Sequence, residues 1–100
     1  MQKITFSETE LGYDLGMKRI NFNQLLEVLK NNNFNLYYRS NSKSRCFKDR
    51  TNILVDSESI SYKHGKITEQ DTNDIYIFDN NFIAFKDYNN YKMIEISLTT

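Results

Sequence analysis

Residues 21–33, NFNQLLEVLKNNN, decide the architecture of this chain. At about 100° of rotation per residue, Phe22, Leu25, Leu26 and Leu29 share an arc of about 100°, the width of a core-facing helical stripe. Asn21 is placed to serve as N-cap, with Gln24 where it completes a capping box. Lys30 falls in the last turn, where the helix dipole favours a cation. The run Asn31-Asn32-Asn33 is expected to end the helix, because asparagine tolerates the left-handed conformation that many helix C-termini adopt. No other stretch repeats this period, so strands must cover the helix.

On the C-terminal side, residues 34–39 (FNLYYR) alternate, with Phe34, Leu36 and Tyr38 toward the core and Asn35, Tyr37 and Arg39 away from it. Residues 40–43 turn the chain, 45–49 continue as a strand, and 52–56 (NILVD) follow with Ile53 and Val55 on one side. Residues 59–62 pair with 66–68 across Lys63-His64-Gly65, whose glycine supplies the positive φ such a turn needs. After the polar residues 69–73, two hairpins are legible. An Asn89-Asn90 loop sets Asp87 opposite Lys92, Phe85 opposite Ile94 and Ile83 opposite Ile96. A two-residue loop within Asp79-Asn80-Asn81 places Tyr76 and Phe78 on the face of Ile83, Phe85, Ile94, Ile96 and Leu98. The second face then carries Ile75, Ile77, Phe82, Ala84 and Met93, with Tyr88 and Tyr91 toward the turn and Lys86 and Glu95 among them. A sheet solvated on one side alternates cleanly, and this one does not. The second face therefore needs a cover, from the N-terminal strands or from a partner.

On the N-terminal side, residues 2–8 (QKITFSE) set Ile4 and Phe6 among polar neighbours and read as a first strand. Residues 11–17, interrupted by Gly12 and Gly16, read as a packed loop leading into the helix. The expected fold is a single α+β domain over residues 1–100, one amphipathic helix on a mainly antiparallel sheet in a β-α-β-meander. A chain of 100 residues buries about two-thirds of its unfolded surface, enough for a core without staples.

The 13 basic and 13 acidic side chains cancel, so no whole-molecule field draws the chain to nucleic acid or an anionic membrane. Any electrostatic function must be local. No apolar run reaches the length of a membrane span, the start has no signal-like stretch, and one cysteine makes no disulfide within the chain. The expected compartment is the cytoplasm. The absence of proline and the 13 asparagines match the usage of AT-rich genomes, common among phages and mobile elements.

No catalytic constellation is legible. Cys46 with His64 is the one thiol–imidazole combination, yet Cys46 sits in a strand, where a lone cysteine behaves as a small hydrophobe. His64 occupies a turn expected to be solvated. The carboxylate groups Glu69, Asp71, Asp74 and Glu8, Glu10, Asp14 fall in loops without calcium-loop spacing, and Gly12, Gly16 and Gly65 assemble no phosphate cradle. No cofactor and no metal are expected.

The strongest local bias is in residues 37–50, YYRSNSKSRCFKDR. Arg39, Lys43, Arg45, Lys48 and Arg50 stand there against Asp49 alone, interleaved with Tyr37, Tyr38 and Phe47. Cations with aromatic rings are what single-stranded nucleic acid requires, and they also suit an acidic protein surface. The expected function is non-enzymatic: a small binding protein that occupies a surface of a larger protein, in its most concrete form a mobile-element anti-defence inhibitor such as an anti-CRISPR protein. The alternative is a nucleic-acid-binding module using Tyr37, Arg39, Lys43, Arg45, Lys48 and Arg50. A second apolar contact, to a partner or to a second copy, is expected on Ile75, Ile77, Phe82, Met93, Tyr88 and Tyr91.

Overall fold

In the computed structural model, which describes residues 16–40 and 45–99, the leucine-spaced stretch forms helix α1 (Phe22–Asn31). Phe22, Leu25, Leu26 and Leu29 are its buried residues, as their spacing requires. Its start is the expected capping box: the Gln24 N–H donates to Asn21 Oδ1 (2.8 Å) and the Asn21 N–H to Gln24 Oε1 (2.9 Å). Its end differs from expectation. Asn32 is extended (φ −138°, ψ 152°), and its side-chain amide donates to the Val28 carbonyl (2.8 Å). A side chain satisfies the orphan carbonyl there, so no left-handed residue is needed.

The strands are β1 (Met17–Ile20), β2 (Phe34–Ser40), β3 (Phe47–Lys48), β4 (Leu54–Val55), β5 (Ser59–Tyr62), β6 (Gly65–Thr68), β7 (Ile75–Phe78), β8 (Phe82–Asp87) and β9 (Lys92–Leu98). A six-stranded antiparallel sheet runs in the order β1-β7-β8-β9-β2-β3, and β4-β5-β6 form a separate three-stranded sheet. Helix and small sheet share one buried cluster with one face of the large sheet. In it Leu25, Leu26 and Leu29 are grouped with Leu36, Ile83, Phe85, Ile94 and Ile96 of the large sheet and with Ile60, Tyr62 and Ile67 of the small one. This is the α+β class expected, with the helix on a mainly antiparallel sheet.

Met17 corrects the loop expected over 11–17, because Met17–Ile20 forms a strand against β7, Met17 opposite Phe78 and Ile20 opposite Ile75. Only its two ends are buried, so it carries no alternation to read. The strand expected over 2–8 lies outside the described residues. The strands expected over 45–49 and 52–56 shrink to two residues each, although Ile53 and Val55 do pack on the core.

The last hairpin has the expected register, with Phe85 opposite Ile94 and Ile83 opposite Ile96. The one before it does not. Phe78 pairs with Phe82, so three residues separate the strands. Asp79 (φ 51°) and Asn80 (φ 61°) make a left-handed turn closed by the Asn81 N–H on the Phe78 carbonyl (3.0 Å), and Asn81 is the additional residue. Because side chains alternate with period two, one extra residue inverts the faces of β7. Ile75 and Ile77 therefore lie in the core opposite Ile20 and Ile83, while Tyr76 and Phe78 take the second face with Phe82, Ala84, Met93 and Glu95.

The second face is not uniform. Across β1, β7 and β8, Met17, Tyr76 and Ala84 on it are buried within the single chain. Across β9 and β2, Tyr37, Arg39, Met93 and Glu95 are half-buried.

Candidate functional site

The basic and aromatic segment folds as the outer edge of the large sheet. On β2 the alternation puts Leu36 and Tyr38 into the core, and β3 joins it through two residue pairs only, Tyr37 with Lys48 and Tyr38 with Phe47. The Asp49 N–H then donates to the Leu36 carbonyl (2.9 Å), and the chain turns inward. That turn is why β3 is so short. The Asp49 carboxylate is buried and accepts from the Thr51 N–H (2.8 Å), the Thr51 hydroxyl (2.6 Å) and the Lys63 N–H (2.8 Å). Burial alone would raise this carboxyl, but the donors from Thr51 and Lys63 outweigh it and hold Asp49 below the usual carboxylate range.

This sorting decides which charges of residues 37–50 face a partner. Arg39 points to the second face and pairs with Glu95 (3.4 Å), both largely shielded from solvent, and Cys46 Sγ donates to the other Glu95 oxygen (3.3 Å). Arg39 is thus tied down by its own sheet. Asp49, the segment's acid, is turned inward. Arg45, Lys48 and Arg50 remain exposed, with no ion-pair partner among the described residues, and Phe47 stands between them at 46% exposure. Lys43 lies outside the described residues.

Strand alternation also divides the aromatic rings. Tyr37 shares the second face with Lys48, whereas Phe47 shares the helix face with Tyr38, ring centroids 6.1 Å apart. Behind them His64 stands edge-on to Tyr38 (4.5 Å) and to Tyr62 (5.8 Å), its Nε2 buried without a hydrogen-bond partner. Burial and the charges of Lys92 and Lys63 push the His64 pKa down, against a weaker pull from Asp49 and Asp87. The ring is a packed spacer here, where the sequence suggested a solvated turn residue.

Cys46 and His64 are not brought together. The thiol faces Glu95 on the second face and the imidazole faces Tyr38 on the helix face. Burial, followed by the hydrogen bond to Glu95, raises the Cys46 pKa and keeps the thiol protonated. Nor do the carboxylates converge. Asp71 Oδ2 accepts from the Thr68 N–H (2.8 Å) and hydroxyl (2.9 Å), and Asp74 pairs with Arg19 (3.1 Å). A cleft of about 490 Å³ at the start of α1 is lined by Arg19, Gln24, Glu69 and Asp74, of which Gln24 takes part in the capping box and Arg19 and Asp74 pair with each other. Glu8, Glu10 and Asp14 lie outside the described residues, and among the described residues no group of three metal-ligating side chains forms.

Of the expected apolar contact, Ile75 and Ile77 belong to the core for the register reason given above. Phe82 and Met93 are half-buried on the second face, Phe82 with its ring edge-on to Phe78 (6.4 Å). Tyr88 and Tyr91 are exposed in the turn between β8 and β9, Tyr91 at 73%, and the Lys86 ammonium lies 5.2 Å from the Tyr88 ring centroid. No helix among the described residues is long and apolar enough to cross a membrane. Compared with family models, with characterised proteins and with solved structures, the chain matches none.

Proposed function

We propose that this chain is a non-enzymatic binding protein that acts by occupying a surface of a larger protein, and that it does so through the β3 edge. The supporting observation is the exposed set Arg45, Phe47, Lys48 and Arg50, whose cations have no ion-pair partner among the described residues. An exposed aromatic residue flanked along the chain by exposed cations is the composition of an interface anchor with a polar rim. A nucleic-acid module would instead gather its rings on one stacking platform, and here Tyr37 and Phe47 lie on opposite faces while Arg39 is committed to Glu95.

The proline-free, asparagine-rich composition supports the concrete form of this reading, an inhibitor carried by a phage or mobile element against a host defence system, in the manner of an anti-CRISPR protein. The test is phage plating on cells with and without an active defence system, RNA-guided immunity first, in the presence of the expressed chain. Restored plaques with the native chain, lost with the Arg45→Ser, Lys48→Ser, Arg50→Ser combination, support it. Undiminished immunity across a panel of defence systems, with the chain folded and abundant, overturns it.

A further inference from the structure

We infer that the β2–β3 edge receives an extended acidic segment of the partner protein as an added strand. This rests on the binding-protein reading above and names the chemistry of what is bound. In the large sheet β3 is the terminal strand, only Phe47 and Lys48 belong to its ladder, and both are exposed, so no described strand occupies its outer side. Such an edge offers main-chain donors and acceptors to another strand.

The side chains decide which strand. Short edges bearing lysine are a common guard against self-pairing, and here Arg45, Lys48 and Arg50 would oppose the same three cations of a second copy. Because Asp49 is turned inward and hydrogen-bonded by Thr51 and Lys63, no acid among the described residues 45–50 offsets that repulsion. The charges that exclude a second copy favour an acidic occupant. The pleat sets its pattern as well. A residue opposite Lys48 lies on the second face beside the Lys48 side chain, and its neighbour opposite Phe47 lies on the helix face beside the exposed Phe47 ring. The partner segment therefore presents an acidic residue next to an apolar one, with further acids outward to reach Arg45 and Arg50.

The experiment pans randomised peptides of about eight residues, enough for one strand, against the full chain and measures the enriched peptide by fluorescence anisotropy. Expected are alternating acidic and apolar residues, and a loss of about tenfold or more with the Arg45→Ser, Lys48→Ser, Arg50→Ser combination at unchanged melting temperature. A comparable loss, about tenfold, is expected when alternate peptide amides are N-methylated, because strand pairing is removed without altering charge. Enriched peptides without acids, or binding unchanged in the triple variant, overturn the proposal. So does unchanged binding of the N-methylated peptide, which would leave charge attraction without a strand. Tighter binding of a single-stranded oligonucleotide of equal charge would assign the edge to nucleic acid, and a dimer in light scattering that the triple variant enlarges would assign it to a second copy. Failure here with immunity still suppressed removes only strand addition. Success here without any effect on immunity removes only the inhibitor reading.

Discussion

The Tyr62 hydroxyl donates to Asp87 Oδ2 at 2.7 Å, joining the small sheet to the large one through a carboxylate with no solvent exposure. The same carboxylate accepts from the Asn89 N–H (3.0 Å), the Asn90 N–H (3.1 Å) and the Asn90 side-chain amide (2.7 Å), so both oxygens are fully used. Asp87 stands opposite Lys92 in the ladder, but its partners are these neutral donors. The bond leaves Tyr62 ionising well above its usual range, through burial first and the Asp87 contact second.

Tyr62→Phe should cost about 1.5–3 kcal/mol, the worth of a hydrogen bond to a charged acceptor. Asp87→Ala should cost more, because it removes the acceptor of four donors at once, the buried Tyr62 hydroxyl among them. Urea denaturation of both variants checks the order, and a Tyr62→Phe midpoint equal to that of the native chain would show the bond to be energetically idle.

Leu26→Ala or Leu29→Ala should remove about 2–5 kcal/mol, a large share of the roughly 5–15 kcal/mol available to a domain. Both side chains are buried against the sheet. Equilibrium unfolding followed by circular dichroism measures it.

The inverted faces of β7 separate two variants that the sequence alone would treat alike. Ile77→Glu forces a charge into the core opposite Ile83 and should prevent folding at ordinary temperature. Phe82→Glu, on the half-buried second face, should cost more than the roughly 0.5 kcal/mol of an exposed site and leave a folded monomer. Melting curves with light scattering distinguish them, and equal tolerance of the two substitutions would contradict the three-residue turn.

His64 and Asp49 predict a pH profile. The imidazole is held below its ordinary value of 6.5, so the unfolded chain binds the proton more readily. The stability this confers is complete above that value and lost as pH falls below it. His64→Phe should flatten the fall in stability as pH drops below 6.5. Asp49, held below its ordinary 3.8, contributes above that value and loses its contribution as pH falls further, a loss that Asp49→Asn should reduce. Melting temperature against pH reads both.

The helix and the last hairpin were legible because each is specified locally, one by the spacing of Phe22, Leu25, Leu26 and Leu29, the other by Asp87 and Lys92 flanking an asparagine turn. The faces of β7 were not. Asp79-Asn80-Asn81 supports a two- or three-residue connection with equal ease, and the choice inverts Ile75 through Phe78. Of the candidate site, the bias toward cations was visible. Which cations stay available depended on Glu95, brought beside Arg39 by the β2–β9 pairing, and on Lys63, whose N–H draws Asp49 inward. Long-range partners of this kind leave no local pattern.

Strand β9 is last in the described chain, yet it lies between β8 and β2 in the sheet. Phe34 of β2 meets Leu98, and Asn33 accepts from the Thr99 N–H (2.8 Å), so β2 has no place in the large sheet until residues 92–99 have been synthesised. On the ribosome β1-β7-β8 and β4-β5-β6 can pair without β9, but β2 must wait for it with the apolar positions of its core face open. Closure of the large sheet onto β2 is therefore a late event, with the slow kinetics of non-local pairing, and the chain waiting for β9 is the stage at which a chaperone has most to bind.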